Sequence, residues 1–163
     1  MTPNTRTIDK CNTFNRQVNP LRLAWVDLLN RYNWDWFTTL TFRDLPKTYT
    51  AINRTKKWLT AIKKQEKRRI PYFMAMEWTR LQNRPHMHLL MGGLHEVNRS
   101  KWWLTWFTWY GAARILPYEK KLGAAYYLTK YIVKDVYQSG MFEIGGLQGD
   151  RQLKLRGVLK IYP

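Results

Sequence analysis

The stretch from residue 72 to residue 91 sets the strongest limit on the fold. "YFMAMEW", residues 72 to 78, and "HMHLLM", residues 86 to 91, are short apolar runs joined by the polar, basic "TRLQNRP". Two such runs in succession form a β-hairpin, which commits the chain to an antiparallel sheet. Gly92 and Gly93 close the second strand.

The remaining elements follow from local pattern. After Pro20, "LRLAWVDLLNRYN" spaces Leu21, Ala24, Trp25, Leu28 and Leu29 as a helix does, and "WDWFTTLTF", residues 34 to 42, reads as a strand stopped by "RDLP". Ile52, Trp58, Leu59 and Ile62 mark one face of a basic helix over residues 52 to 69. "VNRSKWWLTWFTWYG" predicts a helix capped by Asn98 or Ser100, "ARILPY" a further strand, and "KKLGAAYYLTKYIVKDVY" a last helix running to Gly140. "GGLQGD" reads as a loop and "LKLRGVLKIY" as a charged edge strand. Strands and helices in this order give an α+β fold, a central antiparallel sheet with flanking helices in a ferredoxin-like or split arrangement. The length, 163 residues, suits one domain over residues 1–163.

Charge narrows the partner. Lys and Arg number 28 against 11 Asp and Glu, a formal +17, which calls for a polyanion, with nucleic acid the first candidate. Nine Trp, ten Tyr and six Phe accompany that charge, and rings among cations hold bases by stacking while the cations hold phosphates. A lone Cys11 allows neither an internal disulfide nor a thiolate metal cluster. With a polar start and no long apolar run, the expectation is an intracellular, cytoplasmic protein without a membrane segment.

His86 and His88 lie one residue apart on the second hairpin strand, so their side chains share a face, about 6–7 Å apart, while Met87, Leu89 and Met91 point the other way. Two imidazoles so placed grip one divalent cation; satisfied structural histidines are the plain alternative. Glu77, near the end of the preceding strand, is the best third ligand, with His95 and Asp35 as competitors. Two His and one carboxylate leave positions open for substrate, and Mn²⁺ or Mg²⁺ is the expected ion, polarising a phosphate oxygen. In "AAYYLTKYIVKD", Tyr127 and Tyr131 are i and i+4 neighbours, as are Lys130 and Lys134, so one helix side presents phenols beside ammoniums. Nearby positive charge helps a phenol react as phenolate; a core aromatic stripe with solvated lysines is the alternative.

Together these residues resemble the HUH single-strand endonucleases, specifically the rolling-circle replication initiators (Rep) of phages and plasmids. "WFTTLTF" is similar to the family's first motif, "HMH" to its histidine-hydrophobic-histidine motif and "YLTKYIVK" to its tyrosine motif, in that order over residues 36 to 135. The resemblance implies metal-dependent attack by tyrosine on a phosphodiester of single-stranded DNA at a replication origin, leaving a 5′-phosphotyrosine and a free 3′-hydroxyl. It ranks Tyr131 first as nucleophile and Tyr127 second, gives Lys134 and Lys130 the neutralisation of phosphate charge, and turns Tyr126 elsewhere.

No G-x-x-x-x-G-K-[ST] occurs, so no helicase domain is expected, and a separate helicase and the host polymerase become partners. Lys56, Lys57, Lys63 and Lys64 of the basic helix, with Arg80, Arg84 and the Trp-rich segment near 102 to 109, are the candidate DNA-binding residues. A single-stranded DNA transposase of the HUH class and a non-catalytic single-strand binding module are the competing readings.

Overall fold

The hairpin strands are the middle of the sheet. The computed structural model describes residues 20–79, 84–133, 141–147 and 156–158. In it β2 (Tyr72–Trp78) pairs antiparallel with β3 (Pro85–Met91), and β3 pairs on its other side with β1 (Trp36–Thr41). Adding β4 (Ala113–Pro117), β5 (Met141–Gly145) and β6 (Arg156–Val158) gives a six-stranded antiparallel sheet in the order β4-β1-β3-β2-β5-β6. The expected α+β architecture is the one observed.

Alternation along β3 splits the core in two. Met87, Leu89 and Met91 are fully buried on one face, under Trp58 and Ile62 of α2 (Thr48–Glu66) and Trp102 and Trp106 of α3 (Arg99–Trp109). On the other face Phe73, Ala75 and Leu90 pack with Leu29 of α1 (Pro20–Asn30) and with Ala125 and Leu128 of α4 (Ala124–Val133). A sheet covered on both sides needs apolar residues at successive strand positions, which is why "HLLM" lacks a clean polar alternation. Trp58 ties α2 to α3 as well, its indole N–H donating to the Trp102 carbonyl at 3.1 Å.

Several boundaries follow from local chemistry. Asn98 caps α3, its side-chain oxygen accepting from the Ser100 and Lys101 amides. The last helix begins later than its sequence pattern predicts: residues 120–122 form a single 3-10 turn, and Gly123, with φ of +66°, resets the chain so that α4 starts at Ala124. Its expected run from 134 to Gly140 lies outside the described residues. β5 is a strand that the sequence pattern does not announce. β6 is the outer edge strand expected within "LKLRGVLKIY". No described helix is long and apolar enough to cross a membrane.

Candidate active site

Strand register, more than sequence proximity, assembles the site. His88 stands opposite Thr39 on β1 and Ala75 on β2; one pleat away, His86 stands opposite Thr41 and Glu77. All six side chains rise from the face that α1 and α4 cover. His88 is 4% exposed, and both its ring nitrogens are engaged: Nε2 lies 3.2 Å from Glu77 Oε2 and Nδ1 lies 3.1 Å from Thr39 Oγ1. A hydroxyl both donates and accepts, so Thr39 holds the ring in either tautomer. The His86 ring centroid is 6.4 Å from that of His88. Burial, and after it the neighbouring His88, pull the His86 imidazole below the ordinary histidine range; Glu77 opposes this and Arg84 adds to it. His86 is therefore neutral at pH 7, the form that ligates a cation.

The other two candidates for third ligand are placed elsewhere. Asp35 Oδ2 accepts the Leu94 amide at 2.7 Å beyond the opposite end of β1, and His95 is an exposed residue whose ring sits 3.5 Å from Glu96. Glu77 is the carboxylate that register delivers to the histidines.

Does this donor set suit a divalent ion? Adjacent ligands on an octahedral cation with bonds of about 2.1 Å stand about 3 Å apart, close to the 3.2 Å between His88 Nε2 and Glu77 Oε2. Thr39 on Nδ1 supplies the outer partner that orients a ligating imidazole. In the arrangement seen, Glu77 and His88 occupy each other, and no ready cluster of three or more His, Cys, Asp or Glu donors exists among the described residues. The chemistry of the set fits a hard cation; His86 is the donor that has to close on it.

α4 brings a phenol to the same place. The Tyr127 amide donates to the Gly123 carbonyl at 2.8 Å, the first bond of the helix, and the Tyr127 ring meets His88 edge-on, with centroids 6.1 Å apart. Phe37 of β1 braces it from the side at 6.1 Å. Tyr126 faces away, as its position predicts: the Arg22 guanidinium of α1 lies 3.6 Å over its ring. Tyr131 and Lys130 belong to α4, one turn further on, but their side chains, and all of Lys134, lie outside what is described.

The basic residues divide between the two faces. Arg84 precedes β3 beside the histidines, whereas Lys56, Lys57, Lys63 and Lys64 ride on α2, across the sheet from them. Lys56 pairs with Glu143 at 2.6 Å, and the Lys57 ammonium sits 5.8 Å over the Trp109 ring; Lys63 and Lys64 are exposed or partly so. Arg80 is outside the described residues. In the Trp-rich helix, Trp102 and Trp106 are core, while Trp103 is partly exposed and stacked on Phe107 at 5.2 Å.

Sequence reasoning missed Thr39 and Arg114. Both lie in one cross-strand row with His88, since Thr39 pairs with Arg114 on β4 and with His88 on β3. The signal for Thr39 was the alternation of "FTTLT", but its partner depends on a long-range pairing.

A family model for replication-associated proteins of the ORF2 type matches residues 35–136. That span takes in β1, the hairpin and the whole of α4. Neither a curated protein nor a solved structure matches the chain.

Proposed function

The chain belongs to this replication-associated protein family, and on that premise we propose that it initiates rolling-circle replication as an HUH-type enzyme that nicks and rejoins single-stranded DNA. The observation that carries this reading is the approach of Tyr127 to His88, a phenol on one helix set against an imidazole and carboxylate pair on two strands.

A phenolic oxygen of α4 attacks the phosphorus of one phosphodiester. The bond from phosphorus to the 3′ oxygen breaks, that oxygen leaves with a proton as a 3′-hydroxyl, and the 5′ phosphate stays on tyrosine. No bond energy is lost to water, so a second 3′-hydroxyl can reverse the exchange and join ends. Tyr131 carries the first attack and Tyr127 the return transfer, an order resting on the motif spacing. Lys130 and Lys134 neutralise charge on the phosphate, again by spacing. His86, His88 and Glu77 would hold Mn²⁺ or Mg²⁺, which supplies Lewis-acid polarisation of a phosphate oxygen. Thr39 fixes the His88 ring, and Arg84 contributes positive charge at the rim. Single-stranded origin DNA is the substrate, and a separate helicase and the host polymerase complete replication.

The test is a randomised single-stranded oligonucleotide pool incubated with the full chain and Mn²⁺, then run on a denaturing gel. A covalently shifted protein band, abolished by chelator, is expected. Wild-type protein that binds the pool without ever forming the band would instead be a single-strand binding module.

A further inference from the structure

Beside the candidate nucleophile is a cavity of about 390 Å³ between β1, β4 and the start of α4. Phe37, Leu116 and Tyr127 give it apolar and aromatic walls, Thr39 lies on its floor, and Arg114 and Glu119 stand in its lining. Its volume falls in the range of small-molecule sites, and its make-up, flat apolar walls with a few polar groups, is that of a pocket for a planar heterocycle. Arg114 belongs to the row that contains His88, two strands away and about 10 Å along the sheet. Anything occupying the cavity is therefore next to the bond under attack. Neither Arg114 nor Glu119 forms an ion pair with another described residue.

We infer that this cavity receives one nucleobase of the substrate strand, adjacent to the attacked phosphodiester, and that it selects guanine. The inference rests on the nicking reading for its position on the strand, though not for its chemistry. Guanine alone among the four bases carries two neighbouring N–H donors, N1–H and the N2 amino group, that match both oxygens of a carboxylate. It also carries two neighbouring acceptors, O6 and N7, that match the guanidinium fork. Glu119 meets the first edge and Arg114 the second. A carboxylate in the lining disfavours a phosphate there, which separates this cavity from the rest of a strongly basic surface. Thr39 thus serves two neighbours, the ring of His88 on one side and the floor of the base pocket on the other.

The experiment uses the full chain in chelator and follows binding of dGMP, dAMP, dCMP, TMP and dIMP by NMR titration. All five carry the same phosphate, so a difference among them reports the base. dGMP is expected to bind about tenfold or more tightly than the other three natural nucleotides, and dIMP, which lacks the N2 amino group, to lose most of that advantage. Glu119→Gln and Arg114→Lys, conservative changes at exposed positions, should each flatten the preference. Equal binding of the nucleotides, or a guanine preference untouched by both substitutions, overturns the inference. The metal-free readout separates it from the nicking reading: guanine selectivity without any covalent band sinks the nickase and keeps the pocket. Where the band forms, sequencing the attached DNA should show guanine beside the linkage, and an even base distribution there counts against the pocket.

Discussion

His88 reaches Glu77 on the diagonal. The register sets Glu77 directly opposite His86, yet the 3.2 Å contact is made by His88, one pleat further along β3. The Thr39 hydroxyl explains the choice, because by holding Nδ1 it aims Nε2 across the strand toward the carboxylate. Three strands therefore meet in one imidazole.

Removing that hydroxyl while keeping the side-chain shape isolates its part. Thr39→Val should weaken Mn²⁺ binding by about 10- to 100-fold, the usual cost of losing an outer partner of a ligating histidine. Isothermal titration with Mn²⁺ measures it, and Glu77→Gln serves as the reference for loss of a ligand. An unchanged Thr39→Val affinity would mean that the ring needs no such support.

The two phenols are separable by their products. Tyr131→Phe is expected to abolish the covalent band, Tyr127→Phe to retain it while losing the joining of strand ends, and the double variant to lose both. A band that disappears only in Tyr127→Phe would exchange the two roles, and a band in the double variant would remove α4 from the chemistry.

Packing behind the sheet predicts a contrast between tryptophans. Trp58 is fully buried between α2 and α3 and donates to Trp102, so Trp58→Ala should cost about 3–5 kcal/mol. Trp109, 41% exposed, should cost about 0.5–1 kcal/mol on the same change, as surface substitutions do. Urea unfolding followed by circular dichroism checks both.

Acid should weaken one tie between α2 and α3. The Lys101 ammonium, and after it the Trp102 indole N–H, hold the Glu66 carboxylate below its usual range. A carboxylate lowered on folding stabilises above its unfolded pKa of about 4.3 and loses that contribution as pH falls through its folded value. Glu66→Gln should thus narrow the gap in melting temperature between pH 7 and pH 3 relative to wild type, as read by scanning calorimetry. An identical gap would show the contact to be energetically silent.

Much of this was legible before any coordinates. The alternation in "HMHLLM" placed the histidines on a shared face, the Asn98 cap marked the start of α3, and helical spacing turned Tyr126 away from Tyr127. Each of these is local. What escaped depends on pairing across distance: Thr39 meets His88 through a separation of 49 residues, and Arg114 joins their row only once β4 lies against β1. Asp35 and His95 illustrate the same limit from the other side, since composition allowed both as ligands and register sent both elsewhere. Nor does periodicity say which side of a sheet a helix covers, so the basic surface of α2 looked closer to the histidines than it is.

That placement has a mechanical consequence. With Lys63 and Lys64 behind the sheet and Tyr127 in front, one DNA strand can touch both only by rounding an edge of a platform about 25 Å wide. Short oligonucleotides would then saturate the front alone, and tight grip would arrive abruptly once the polymer is long enough to wrap.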